Sequence, residues 1–217
     1  MFPADTFVAE RQAMVATQLR KRDITDERVL QAMERVPRHL FVPEPLQSHA
    51  YEDNPVPVGE GQTVSQPYIV AYMLQVLDIL PEHRVLEVGT GTGYQAALLA
   101  QLARDVYTIE RVPALGALAR NILTDLGIDN VKVILGDGTL GHSDQAPYDR
   151  IIVAAAAPAV PTSLFDQLAE GGRMIIPVGA TELQDLKLVR KENGQQLTTQ
   201  LAGCRFVPLL GAQGFKA

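Results

Sequence analysis

From Arg84 onward, short apolar runs alternate with amphipathic stretches. Val85-Leu86-Glu87-Val88, Val106-Tyr107-Thr108-Ile109, residues 131–135, 150–153 and 173–177 have the length and β-branched content of buried strands. Between them, residues 94–102, 113–126 and 164–168 fit helices, and Gly127 and Gly171-Gly172 close the last two. Strands alternating with helices of this length predict a doubly wound, mostly parallel α/β sheet. After Gly179 the helical signal stops. Residues 183–190, a turn at Gly194 and residues 197–208 predict antiparallel strands at a sheet edge.

The first third has a different texture. Residues 5–36 read as two helices. The second is capped by Thr25, carries Asp26 and Glu27 in its first turn, and is stopped by Pro37. Residues 37–67 then hold prolines at 37, 43, 45, 55, 57 and 67 and glycines at 59 and 61. A connection this long inside a compact domain is often a lid or binding loop. Pro67 opens an apolar helix running to Leu80, with Pro81 just past its end. Residues 1–80 are thus expected to form helices and a covering loop packed on an α/β unit of residues 81–217, the whole a single compact body.

With 217 residues, area scaling gives a folded surface of ~9,800 Å², so that ~70% of the chain's surface is buried. Cys204 is the single cysteine, which excludes an intrachain disulfide and a cysteine-cluster metal site and favours a reducing compartment. Met1 to Asp5 lack the basic start of a secretory signal, and the most apolar run, 151–160, is interrupted by Pro158 and too short to span a membrane. Lys+Arg 19 against Asp+Glu 25 gives −6, which argues against broad nucleic-acid binding. A cytoplasmic protein without membrane or nucleic-acid partners is expected, with a monomer as the working state.

Candidate chemistry gathers at strand ends, where open α/β sheets bind ligands. In Glu87-Val88-Gly89-Thr90-Gly91-Thr92-Gly93 the glycines let a ligand approach the backbone. The dinucleotide fingerprint fails, because Tyr94 stands at its third glycine. An acid two residues before Gly89 disfavours a pyrophosphate and suits a cationic, phosphate-free ligand such as S-adenosylmethionine. Glu110 ends the next strand, where a carboxylate can accept ribose hydroxyls. Gly136-Asp137-Gly138 ends the third: Asp137 can accept from an adenine amino group and Gly138 permits close approach. Taken singly, these are equally a tight turn, a surface acid and an Asp-Gly turn. Their register on consecutive strand ends favours a site.

Together with Thr63-Val64-Ser65-Gln66-Pro67-Tyr68, Val36-Pro37-Arg38-His39-Leu40-Phe41 and Gly171-Gly172-Arg173-Met174, these motifs resemble the protein-L-isoaspartate O-methyltransferase family, over about residues 14–211. Two positions depart from it: Asp23 where the family has glycine, and Ala154 where it often has threonine. The resemblance implies S-adenosylmethionine as methyl donor, S-adenosylhomocysteine as product, no metal, and the free carboxylate of L-isoaspartyl residues in aged proteins and peptides as acceptor. Methylation would start repair through a succinimide, under the activity protein-L-isoaspartate(D-aspartate) O-methyltransferase. It also implies cofactor contacts at Thr63, Val64, Glu87, Gly89, Thr90, Gly91, Glu110, Asp137 and Gly138, and makes Ser65 the catalytic-site serine that orients the acceptor.

The chemistry suits the sequence. A carboxylate with a pKa near 4 is ionised at neutral pH, so no general base is required. Ser65 is equally placed to cap the helix that follows Pro67. Three alternatives stand beside this reading. Another S-adenosylmethionine enzyme, acting on RNA or a small molecule, is disfavoured by the acidic charge and by the lack of an Asn-Pro-Pro-Tyr-like motif. A nicotinamide oxidoreductase is disfavoured by Tyr94, and a dead nucleotide-binding domain by the intact motifs.

Overall fold

The computed structural model describes residues 6–216, so the expectations resting on Met1 to Asp5 lie outside the described residues. Helix α1 (Val8–Met14) runs on into a π-helical turn, Val15–Leu19. Helix α2 (Glu27–Arg35) is capped by Asp26, not by Thr25. The Asp26 carboxylate accepts from the N–H groups of Arg28 (2.8 Å) and Val29 (3.4 Å), while the Thr25 N–H donates to Gln75 Oε1 (2.7 Å). The proline-rich connection is not bare loop. It contains two 3₁₀ turns, Arg38–Phe41 and Glu44–His49, and a small hairpin of β1 (Val56–Gly59) and β2 (Gln62–Val64).

Helix α3 (Pro67–Leu77) stops three residues short of Leu80. Asp78 turns left-handed (φ 52°), and Arg150 Nε donates to the Leu77 carbonyl (2.6 Å), so a distant guanidinium satisfies the helix end. The α/β part follows as β3 (Arg84–Val88), α4 (Tyr94–Leu102), β4 (Asp105–Glu110), α5 (Pro113–Asp125), β5 (Val131–Leu135), β6 (Tyr148–Val153), α6 (Thr162–Asp166), β7 (Leu168–Gly179), β8 (Gln184–Glu192) and β9 (Gln195–Cys204). Gly171-Gly172 does not end a helix. The glycines lie inside β7, where Tyr148 pairs with Leu168 but Arg150 already pairs with Arg173. The extra residues bulge out, and Gly171 supplies the positive φ of +73°.

The sheet order is β5-β4-β3-β6-β7-β8-β9, parallel through β7 and antiparallel at β8 and β9. Side chains alternate between two cores. Val85, Val106, Ile152 and Ile175 face the layer of α1–α5, whereas Leu86, Tyr107, Ile151 and Met174 face the opposite side. Met14, Leu30 and Met33 share the first core with Leu74 and Leu98, so the N-terminal helices pack directly on the sheet's helical layer. The chain winds from β3 through β4 to β5, then crosses back to β6 on the other side of β3. That reversal is the topological switch, and it lies between the carboxyl ends of β3 and β6.

Candidate active site

At the switch, Gly89 follows β3 and Ala154 follows β6. A Cβ on Gly89 would stand 3.4 Å from Ala154 Cβ, and Gly89 and Gly91 have φ of +96° and +56°. Only glycine adopts such backbone readily, so the loop bends away from the sheet and leaves a cradle in front of it. Gly138 closes another wall. A Cβ there would meet Val88 Cγ1 at 2.4 Å, a collision that would push the turn off the strand end.

Glu110, at the end of β4, is 6% exposed and its carboxylate is fixed. One oxygen accepts from Gly91 N–H (2.7 Å) and the other from Val112 N–H (2.8 Å). A carboxylate has about four lone-pair sites, so two remain for ligand hydroxyls. Thr90 is held to Thr108 (Oγ1 to Oγ1, 2.6 Å), and Thr92 Oγ1 donates to the Phe41 carbonyl (2.7 Å), which fastens the proline-rich segment to the glycine loop.

Thr63, Val64, Ser65, Gly89, Thr90, Gly91, Glu110 and Gly138 all line one chamber of about 130 Å³. Two expected contacts do not. Glu87 points to the helical side of the sheet, fully buried behind the loop, and its Oε2 accepts from Thr108 Oγ1 (2.5 Å). Burial raises its pKa to about 8, with the Glu110 charge adding to the rise and the Thr108 hydroxyl opposing it. Gln95 also favours the anion, yet its Nε2 and Glu87 Oε1 each lack a hydrogen bond of full geometry. Glu87 is therefore predominantly neutral at pH 7 and braces the loop from behind. Asp137 is engaged by its surroundings. Oδ1 accepts from Thr139 N–H (2.9 Å) and Oγ1 (2.7 Å), and Oδ2 from Ala212 N–H (2.7 Å). Burial works to raise its pKa, but these bonds outweigh burial and the net shift is downward. Asp137 thereby ties the turn after β5 to the chain's last segment.

The sequence pattern carries the last strand to Pro208, but β9 ends at Cys204. Residues 207–210 return over β6, with Ala156 N–H donating to the Val207 carbonyl (2.8 Å) and Leu209 N–H to the Ala156 carbonyl (2.7 Å). Leu209 and Leu210 wall the chamber opposite the glycine loop.

A second cavity of about 950 Å³ opens from the first, and the two share Thr63, Ser65, Ala154, Val207 and Pro208. The inner space is the smaller of the two and the outer the larger. Tyr68 and Tyr72, stacked at 6.1 Å, form one side of the outer groove. Asp23, one of the two departures noted in the sequence, accepts from the Tyr68 hydroxyl (2.7 Å), and the Arg22 guanidinium lies 3.3 Å from the Tyr68 ring centre while pairing with Asp53 (3.1 Å). The substitution thus fixes an aromatic wall of the groove rather than merely ending a helix.

Ser65 stands at the shared mouth, half-buried. It does not cap α3: the cap position is Gln66, without a side-chain cap bond. Among the described residues the Ser65 hydroxyl has no hydrogen bond, while its backbone carbonyl accepts from Arg38 Nη2 (2.8 Å). Arg38, inside the motif that carries the family resemblance, is fully buried. Sequence reasoning gave it no role, although a charged residue embedded in the apolar run 36–43 was a signal. Among the described residues no cluster of three or more His, Cys, Asp or Glu could hold a metal ion, and no helix is long and apolar enough to cross a membrane.

The profile of the family described as Protein-L-isoaspartate(D-aspartate) O-methyltransferase matches residues 9–214. A protein-L-isoaspartate O-methyltransferase of Koribacter versatilis is 58% identical over 209 residues, covering 96% of this chain and 94% of that protein. One from Methanoculleus marisnigri is 53% identical, covering 98% and 97%. A solved protein-L-isoaspartate O-methyltransferase superposes with a TM-score of 0.85 at 30% identity, over 94% of this chain and 67% of that one. A Plasmodium falciparum protein described as the same enzyme, solved in complex with S-adenosyl-L-homocysteine, gives a TM-score of 0.82 at 28% identity over 92% and 98% of the two chains.

Proposed function

Because the chain belongs to the protein-L-isoaspartate(D-aspartate) O-methyltransferase family, we propose that its two joined cavities divide the labour of that reaction, the inner for the methyl donor and the outer for the damaged peptide. The enzyme methylates the free carboxylate of L-isoaspartyl residues in proteins and peptides, using S-adenosylmethionine. The ester then closes to a succinimide, which can reopen to normal aspartate. The observation that carries the division is the mouth shared by the chambers, where Ser65 lines both.

The residues fit the donor. Glu110 presents two free lone-pair sites for ribose hydroxyls, Gly89 and Gly91 form the cradle, and Gly138 leaves room beside Val88. When bound, S-adenosylmethionine supplies a methyl group made electrophilic by its sulfonium. Thr63, Val64 and Ser65 border the same opening, and the unengaged Ser65 hydroxyl is available to orient the acceptor. The acceptor oxygen bonds to the methyl carbon as the carbon–sulfur bond breaks, its electron pair going to sulfur. Carboxylate and sulfonium become neutral ester and thioether, and no proton moves. The walls' task is to align the acceptor and exclude water. Within this reading the enzyme works as a cytoplasmic monomer without nucleic-acid or membrane partners, in keeping with its single cysteine and net charge of −6.

Incubation with methyl-labelled S-adenosylmethionine and matched peptides carrying L-isoaspartate or L-aspartate tests the proposal. Label is expected on the isoaspartyl peptide alone; equal labelling of both would contradict it.

A further inference from the structure

Arg38 is among the largest side chains that the fold buries completely. Its Nε donates to the Ala50 carbonyl (2.6 Å) and its Nη2 to the Ser65 carbonyl (2.8 Å). The remaining nitrogen, Nη1, is buried without a hydrogen-bond partner. The Tyr94 ring centre lies 4.7 Å from the guanidinium carbon. Among the described residues no carboxylate pairs with it. Burial lowers the guanidinium's pKa from its ordinary value, but an arginine starts so high that it remains a cation.

A buried cation without a counter-ion is expensive, and an apolar side chain of similar volume is often at least as stable. Two carbonyl dipoles and an aromatic face offset only part of that cost. In a low-dielectric interior the rest of the field reaches outward. The guanidinium touches the Ser65 carbonyl, and Ser65 lines both chambers. The acceptor for which this mouth is read is an anion before transfer and neutral afterwards.

We propose that Arg38 is a positioning residue that fixes the Ser65 segment through its carbonyl and, by its unneutralised charge, favours the ionised isoaspartyl carboxylate over the neutral methyl ester formed from it. The inference rests on reading the Ser65 mouth as the acceptor site. It gives substrate capture and product release one electrostatic origin: the ester leaves because the field has lost the charge it acted on.

The test compares an isoaspartyl peptide with the same peptide carrying isoasparagine, a neutral amide of nearly equal shape, as ligands of the enzyme loaded with S-adenosylhomocysteine. The parent should bind the acid about tenfold or more tighter than the amide, the scale of a desolvated charge contact. Arg38→Gln keeps N–H donors and removes the charge. It should bring the two affinities within about threefold by weakening the acid alone, while S-adenosylhomocysteine binding stays within about twofold. Arg38→Lys should restore most of the preference. Equal weakening of acid and amide in Arg38→Gln would reduce Arg38 to a scaffold role and overturn the proposal. Should Arg38→Gln not fold, the parent and Arg38→Lys decide: a parental acid-to-amide ratio near one, or its loss in Arg38→Lys, overturns it. A parent that methylates the isoaspartyl peptide yet fails these ratios refutes Arg38's role alone. A parent that does not methylate it refutes the acceptor-site reading as well.

Discussion

The two sides of the shared mouth are built by opposite means. On the β3–β4 side the polar side chains are already spoken for: Glu110 is held by two backbone N–H groups, Thr90 by Thr108, and Thr92 by Phe41. On the Ser65 side the backbone is held, by Arg38, and the hydroxyl is free. The first arrangement suits a ligand whose every atom recurs, because preset acceptors lose little entropy on binding. The second suits a peptide whose neighbours vary, since only the reacting group needs a fixed point. The volumes differ in the same sense, about 130 Å³ inside against about 950 Å³ outside.

Ser65→Ala strikes the free side. Turnover with an isoaspartyl peptide should fall roughly 10²-fold, the cost of a misplaced reacting group. Stability should change little, because the hydroxyl caps nothing. A drop of about 0.5–2 kcal/mol with normal turnover, the signature of a lost cap, would reverse the assignment.

Glu110→Ala strikes the preset side. Calorimetric titration with S-adenosylhomocysteine should show binding weaker by about 1–3 kcal/mol, the scale of lost bonds to a charged group. An unchanged dissociation constant would remove Glu110 from the site.

Glu87→Gln separates bracing from binding. The pKa of Glu87 is raised to about 8, so in the folded state it binds a proton that the unfolded chain releases near 4.3. Its contribution to stability is therefore complete below about pH 4.3 and is lost as pH rises through about 8. Relative to Glu87→Gln, the parent should lose on the order of 1–2 kcal/mol between pH 6 and pH 8, read from denaturant midpoints. Cofactor affinity should hardly move. A parallel pH profile for the two proteins would show that Glu87 is not buried neutral.

Ala154→Thr is the mildest change. Ala154 lines both chambers and faces Gly89, so an added hydroxyl enters the shared mouth. Peptide KM is expected to shift by no more than about threefold, under ~1 kcal/mol, as for a single exposed polar contact. A tenfold shift would mark this position as a determinant of acceptor binding.

The α/β order and the antiparallel edge were legible because buried parallel strands are continuous apolar runs that glycines and prolines punctuate. The glycine loop and Glu110 were legible because strand ends and positive-φ turns leave local marks. Glu87 and Asp137 show the limit. Their spacing places them near the site, but whether each side chain lines the chamber depends on long-range partners: Thr108 and Gln95 for one, Ala212 for the other. The cap at Asp26 in place of Thr25, the early stop at Leu77 and the bulge at Gly171 have the same origin. Gln75, Arg150 and the β6–β7 register are tertiary facts that no window of sequence contains. The role of Arg38 was hidden for that reason too, and so was the return of residues 207–210 over Ala156, where the sequence pattern runs the last strand on to Pro208.

The division of the mouth is tested most directly by a crossed experiment. S-adenosylhomocysteine affinity and isoaspartyl-peptide kcat at saturating cofactor are measured on both Ser65→Ala and Glu110→Ala. The predicted result is a crossed pattern: Ser65→Ala binds S-adenosylhomocysteine within about twofold of the parent and turns over roughly 10²-fold more slowly. Glu110→Ala binds it about fivefold or more weakly and, once saturated, turns over within a few-fold of the parent. If both variants lose cofactor affinity and turnover together, the two sides are one undivided site and the account is wrong.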